Sequence, residues 1–317
     1  MDTRIDTVVI GGGQAGLALG YYLQRLGRRF TIVEAADRLG SSWRRRWDSL
    51  TLFTQRREDA LPGMPFPGYS RGFPGKDEVA DYLEAYARRF HLPVELGSPV
   101  MSVRPDLSDG FAVETGLIAL STRQVVVATG LGEPIVPRFA SRLDPRVHQL
   151  HLDGYRNPSS VPEGRIVVVG DLAAVAVAGE LAAAGRDVSV SVSGIGTALR
   201  ERWGRAKPVG RVVDADGDQL VLVTGERLDA DAVVWATGYR PRYPWLHLPV
   251  LDGSGAPVHH QGFTDAPGLA FLGLPGQRTR ASALLGGVGR DAALLADVLG
   301  AQLTAPSRRP APVHHVH

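Results

Sequence analysis

The chain has 317 residues, 44% of them hydrophobic and 21% charged, with a formal net charge of +2; this suffices for two modest cores and gives no sign of a nucleic-acid partner. Cysteine is absent, which excludes disulfides, thiolate metal sites and a redox-active thiol pair. Asp2, Thr3 and Arg4 form no basic-then-apolar leader, and no apolar run is long enough for a membrane span, so a cytoplasmic location without a membrane partner is expected.

Val8, Val9 and Ile10 form an apolar run ending in Gly11, Gly12 and Gly13, after which Ala15, Leu19, Tyr22, Leu23 and Leu26 recur at helical spacing. Gly27 stops the helix, and Phe30 to Val33 predict a second strand ending at Glu34. Residues 40 to 75, rich in Arg, Pro, Gly and aromatics, read as a large functional loop, and Val79 to Phe90 as an amphipathic helix. Several β-rich runs follow, the last being Val125 to Val127 before Ala128, Thr129 and Gly130.

Pro134, Pro137, Pro145, Pro158 and Pro162 mark a linker with a boundary near residue 160. Ile166 to Val169, an Ala-rich helix to Gly185 and a strand from Val188 to Val192 then repeat the opening pattern. Arg211 to Val213 and Leu220 to Val223 read as hairpin strands, and Val233 to Trp235 lead into Ala236, Thr237 and Gly238. Leu269 to Leu272 is the predicted last strand and Ser282 to Leu299 the last helix, before a Pro- and His-containing tail expected to be disordered.

The expected fold class is therefore α/β, with two Rossmann-like dinucleotide-binding domains, the second smaller and inserted into the first. Residues 1–160 and 236–304 make the first, 161–235 the second, and 305–317 the tail.

Gly11, Gly13 and Gly16 give G-x-G-x-x-G between strand and helix, with Glu34 at the end of the next strand. Gly11 permits the tight turn, Gly13 lets a pyrophosphate approach the backbone, Gly16 allows close helix packing, and Glu34 is placed for ribose hydroxyls. A purely structural glycine turn would leave that carboxylate without a role. The Arg44, Arg45, Arg46, Arg56 and Arg57 cluster reads equally as an anion patch or a solvated face. His259 and His260 have no third ligand at metal spacing, so no metal is expected.

The run Glu34 to Trp43 (EAADRLGSSW) resembles the E-x-x-x-x-x-G-G-x-W segment of flavin-containing and Baeyer-Villiger monooxygenases, with Ser41 replacing a glycine. LTLFT after it, LPGMPFPG at 61 to 68, the His151-x-x-x-Tyr155 pair, both ATG elements and FLGLPGQRTRASALLGGVGRDA at 271 to 292 extend the likeness over almost the whole chain. The resemblance implies non-covalent FAD at the first site, an interrupting NADPH domain, and both ATG segments at the crossings between them. It carries Gly11, Gly13, Gln14, Ala15, Gly16, Glu34, Ala35, Arg38, Ser42, Trp43, Ala128, Thr129 and Gly130 into the cofactor site. Val100 falls at a backbone contact to adenine, and the helix near Gly287 is aimed at the flavin's pyrimidine edge. Gln277, Arg278 and Arg280 are catalytic candidates by position alone, and Trp43, Leu52, Phe53 and Phe66 candidate pocket walls.

The chain departs from that pattern at the second glycine turn, which reads Gly170, Asp171, Leu172, Ala173, Ala174, Val175. Leu172 stands where a pyrophosphate needs bare backbone, Asp171 adds like charge, and Val175 is expected to crowd the helix against its strand. The strand ends at Ser193 and Gly194, with no Arg for a 2′-phosphate before Arg200. Phe53 occupies the place of a flavin-proximal Asn in animal relatives. The expected activity is FAD-dependent oxidation or oxygenation of a small organic substrate without conventional NADPH binding, the flavin being reduced by substrate or by a separate reductase. NADPH-driven monooxygenation through a remodelled site, and a non-redox flavoprotein such as an isomerase or cyclase, are the alternatives.

Overall fold

The computed structural model describes residues 5–106, 110–192 and 204–304. Its first half runs β1 (Ile5–Ile10), α1 (Gln14–Arg25), β2 (Phe30–Val33), α2 (Ser41–Arg44), α3 (Lys76–Arg89), β3 (Val94–Glu95), β4 (Val100–Asp106), β5 (Gly110–Thr115), β6 (Ala119–Val127), β7 (Glu133–Pro134) and β8 (His148–His151). There follow β9 (Arg165–Gly170), α4 (Leu172–Ala183), β10 (Asp187–Val192), β11 (Lys207–Val209), β12 (Val212–Asp216), β13 (Gln219–Leu222), β14 (Arg227–Asp229), β15 (Ala232–Ala236), β16 (Tyr239–Arg240), β17 (Leu269–Phe271) and α5 (Val288–Thr304).

In the first sheet β3, β2, β1 and β6 lie side by side and parallel. The C-terminal half of β6 takes β17 in parallel, its N-terminal half takes β5 antiparallel, and β4 lies antiparallel on β5. The second sheet is wholly parallel, in the order β11-β10-β9-β15-β8. Its β9-α4-β10-β11 and β15 repeat β1-α1-β2-β3 and β6, so the internal repeat holds. The fifth place is filled by β17 from the end of the chain in one sheet and by β8 in the other. Apolar strand faces and helix stripes bury one core around Leu17, Leu19, Leu83, Tyr86 and Leu295 and another around Val168, Val177, Leu181 and Tyr155.

β8, within the Pro-rich stretch read as a linker, pairs parallel with β15. Two expectations are corrected. The last helix starts at Val288 rather than Ser282: the Ser282 hydroxyl accepts from the Arg278 and Thr279 N–H groups, and turns fill the interval. Residues 211–223 lie in a three-stranded β12-β13-β14 sheet rather than a simple hairpin. The calls on Ser193, Gly194, Arg200 and the 305–317 tail lie outside the described residues.

The two segments that follow the ATG elements, β7 and β16, pair antiparallel. The His151 ring packs edge-on against Tyr239 at 5.2 Å, and its Nδ1 accepts from the Asp153 N–H at 3.1 Å. The neutral ring therefore carries its hydrogen on Nε2 and donates to the Gly238 carbonyl at 3.2 Å. Burial lowers the His151 pKa. Since the unfolded chain takes up the proton first, this histidine's stabilisation is present above the ordinary value of about 6.5 and is lost as pH falls through and below it. His151→Gln keeps the donor without titrating, so its melting temperature is expected to drop less than that of the wild type between about pH 7.5 and pH 5.5. Equal drops would contradict the assignment.

Candidate functional site

The C-terminal ends of β1 and β6 and the start of α1 form the first glycine turn. Gly11 has φ +110°, and a Cβ there would stand 2.4 Å from the Ala128 carbonyl oxygen; one on Gly16 would stand 2.0 Å from that of Gly11. Backbone contacts therefore demand glycine at both. Gly13 is different: its backbone is extended, and an added Cβ would meet nothing within 4 Å. No packing contact among the described residues requires glycine there, which leaves room for a group approaching from outside, at a helix end whose first N–H groups have no partner within the helix.

Glu34 sits beside this opening. Its Oε2 accepts from the Gly12 N–H at 2.6 Å and its Oε1 from the Ala36 N–H at 2.9 Å, so the carboxylate is fixed while each oxygen keeps lone-pair capacity. Gln14, the first residue of α1, ties three segments together: its Oε1 accepts from the Trp43 indole at 3.2 Å and its Nε2 donates to the Ala283 carbonyl at 3.2 Å. Trp43, partly buried against the first core, is positioned by that bond. In Gln14→Glu one carboxylate oxygen faces the Ala283 carbonyl without a hydrogen, at a cost of about 1–3 kcal/mol. About a tenfold loss of FAD affinity is expected on titrating the apoprotein; wild-type affinity would remove Gln14 from the site.

The remaining candidates divide. Ala15 is buried beneath the turn, and Ala128, also buried, donates its N–H to the Ile10 carbonyl at 2.8 Å; Thr129 and Gly130 are exposed beyond it. Ala35 and Ser42 are exposed, and Val100 is half-buried at the start of β4. Arg38 is not directed to the turn; it forms a two-pronged ion pair with Glu84 of α3. Gly287 packs so closely on Ala281 that a Cβ would stand 2.0 Å from its carbonyl oxygen, immediately before α5.

Among the catalytic candidates, Gln277 is buried and structural: Nε2 donates to the Gln261 carbonyl and Oε1 accepts from the Leu274 N–H. Arg278 pairs at 3.2 Å with the buried Asp291, and Arg280 is exposed. Phe66 is buried in a stack on Tyr82 at 4.6 Å, whereas Phe53 is 64% exposed. The Arg cluster is largely committed to other partners: Arg44 to Asp81 and Glu84, Arg46 to the Tyr239 hydroxyl, and Arg56 to Glu78. The sequence places Arg46 in that cluster but does not announce its partner Tyr239, 193 residues further along the chain. Among the described residues no cluster of three or more His, Cys, Asp or Glu is placed for a metal.

The second turn copies the first only at its opening. A Cβ on Gly170 would stand 2.0 Å from the Ala236 carbonyl oxygen. Asp171 then caps α4 with its own side chain, accepting from the Ala173 N–H at 3.0 Å, and Leu172 is 59% exposed. Val175 does not crowd the strand as expected: it is buried in the second core. A hollow of about 480 Å³ lined by Glu163, Arg165, Arg186, Asp187 and Asp231 lies at the other end of this sheet, where Arg165 and Asp231 pair at 2.9 Å, and contains none of the motif residues.

The first turn is the signature of a dinucleotide-binding protein, and residues 8–202 match the family described as pyridine nucleotide-disulphide oxidoreductase. The chain belongs to that family. It has no cysteine, so it brings no thiol pair of its own to such chemistry. It is 37% identical over 348 residues to an uncharacterized oxidoreductase, CzcO-like, of Geobacillus kaustophilus, covering 94% of this chain and 99% of that one. An uncharacterized oxidoreductase CzcO of Bacillus subtilis is 31% identical over 90% of this chain and 96% of its own. A flavin-containing monooxygenase from Stenotrophomonas maltophilia superposes with a TM-score of 0.86 at 26% identity, over 96% of this chain and 100% of that one. The protein is an FAD-dependent oxidoreductase of the flavin-monooxygenase-like superfamily, whose members act on small-molecule substrates. Among the described residues no helix is long and apolar enough to cross a membrane.

Proposed function

We propose that the chain holds FAD non-covalently across the first turn and oxidises or oxygenates a small organic molecule, without binding NADPH in the conventional way. The open space at Gly13, flanked by the close-packed Gly11 and Gly16 and by Glu34, suits a diphosphate and its ribose, so the residues present fit the cofactor. Bound there, FAD supplies two-electron redox chemistry. Gly11, Gly13, Gln14, Ala15 and Gly16 form the phosphate cradle, Glu34 and Ala35 the ribose side, and Ser42 and Trp43 the approach to the ring system. Val100, Ala128, Thr129, Gly130 and Gly287 complete the enclosure, and Arg38 acts through Glu84 as a brace. The two sheets are read as two domains, the second inserted into the first. No proton-transfer role is assigned to Gln277 or Arg278, whose polar groups are committed; Arg280 alone of the three has a free guanidinium among the described residues.

The observation that carries the NADPH part is the Asp171 side chain bonded to the N-terminal backbone of α4, where a pyrophosphate would lie. Electrons then come from the substrate itself or from a separate flavin reductase. The alternative, NADPH-driven monooxygenation through a remodelled site, is favoured by the retained close approach at Gly170. Anaerobic mixing of the yellow protein with NADPH, NADH and candidate substrates separates the two: bleaching by substrate and not by the pyridine nucleotides is expected. Fast, saturable bleaching at micromolar NADPH would establish the alternative.

A further inference from the structure

Trp47 follows α2 in the first half of the chain, yet its side chain is buried in the other core. It is 7% exposed and lies in the cluster built by Tyr155, Ile166, Val177 and Leu181, against which Leu50 also packs in part. Hydrogen bonds make the same connection on either side of it. The Asp48 N–H donates to the Arg156 carbonyl at 2.7 Å, and the Asp48 carboxylate accepts from the Asn157 amide at 2.8 Å. Arg46 donates to the Tyr239 hydroxyl at 2.6 Å, with its guanidinium carbon 5.2 Å from the centre of that ring.

The other end of this segment is tied to the first glycine turn. Trp43 packs on the first core, and its indole donates to Gln14, the residue after Gly13, at 3.2 Å. Between the two tryptophans the backbone is hydrogen-bonded throughout. The Arg44 N–H reaches the Gly40 carbonyl at 3.0 Å, that of Arg45 reaches Ser41 at 3.1 Å and that of Arg46 reaches Trp43 at 2.9 Å, so a helical turn joins them without slack. Toward α3 the same turn is held by the pairs of Arg44 with the exposed Asp81 and with Glu84. Ion pairs open to solvent hold weakly, whereas a buried indole is among the largest apolar anchors a chain has.

We propose that Trp47 is a positioning residue for the cofactor: seated in the second core, it fixes the turn that carries Trp43 and, through Trp43, the Gln14 side chain at the first glycine turn. The second sheet thereby contributes to FAD affinity through this anchor rather than through a nucleotide of its own. The inference rests on the FAD reading above. Coupling between two sites is reciprocal, so FAD at the first turn also tightens the docking of residues 46–50 on residues 152–161.

The test uses the full chain as wild type, Trp47→Ala, Trp47→Phe and Arg46→Met. Each apoprotein is melted first and then titrated with FAD well below its melting temperature, and amide hydrogen exchange is followed with and without FAD in peptides covering residues 152–161. Exchange reports on this segment because the Leu152, Tyr155 and Ser160 amides are hydrogen-bonded in it. Trp47→Ala is expected to bind FAD about tenfold more weakly than wild type, and FAD to slow exchange in the wild-type segment by about the same factor but not in Trp47→Ala. Trp47→Phe, which keeps an aromatic ring in the core, recovers both to within about threefold of wild type. If Trp47→Ala does not fold, Arg46→Met decides the matter, with an expected loss of about threefold in FAD affinity. A folded Trp47→Ala protein with wild-type FAD affinity overturns the proposal, as does a wild type in which FAD leaves exchange at 152–161 unchanged. In the absence of a folded Trp47→Ala, wild-type affinity in Arg46→Met overturns it too. A wild-type chain that binds no FAD overturns the FAD reading, and the proposal with it.

Discussion

Gly13→Ala is expected to yield a folded protein with weakened FAD binding. Its extended backbone accepts an alanine, and the added methyl group points into open space, so the melting temperature of the apoprotein stays within about 1 °C of wild type. The same methyl group occupies the approach of the diphosphate, and FAD affinity falls at least about tenfold, or 1.4 kcal/mol. Gly11→Ala and Gly16→Ala behave oppositely, because their methyl groups would stand 2.4 Å and 2.0 Å from backbone oxygens. Backbone cannot swing aside as a side-chain tip can, so both variants lose about 1–3 kcal/mol or more of stability before FAD is added. Thermal melts of apoprotein and the ratio of flavin to protein absorbance separate the two classes. A Gly13→Ala protein that stays yellow with wild-type affinity would remove the nucleotide from this turn, whatever the fold.

What was legible in the sequence is what short spacing encodes. The strand-turn-helix at Gly11 to Gly16, the acid at Glu34 and the repeat beginning at Ile166 depend on residues close in the chain, and backbone sterics leave few other uses for that pattern. Partners chosen by tertiary packing were not legible. Gln14 bonds to Ala283, Arg46 to Tyr239 and Gln124 to the Leu299 carbonyl, and nothing local announces such pairs. The same limit explains β8: a His148–His151 strand in a Pro-rich stretch reads as linker until β15 is beside it. Phe66 belongs with them: nothing in its loop motif announces that its ring stacks on Tyr82 beneath the Arg56 guanidinium.

Asp171→Gly combined with Leu172→Gly is expected to improve NADPH binding at least about tenfold over a wild type that binds weaker than about 1 mM. The Asp171 carboxylate takes the Ala173 N–H, one of the donors that a helix start offers an anion, and its charge repels a diphosphate through partly screened surroundings. Leu172 holds an exposed apolar side chain at the next position, so both obstacles are side chains rather than backbone and can be cut away. Val175 is a different matter. It occupies the place that Gly16 holds in the first turn, where a Cβ would stand 2.0 Å from the preceding turn's oxygen; real Cβ atoms keep beyond 3.0 Å. The Val175 side chain cannot make that approach and is instead buried in the second core. Replacing it by glycine would open a cavity costing about 2 kcal/mol or more rather than restore the site, so recovery through residues 171 and 172 stays partial. Isothermal titration with NADPH measures the gain. Tight wild-type binding, or no gain in the double variant, would mean that these two side chains do not close the second turn.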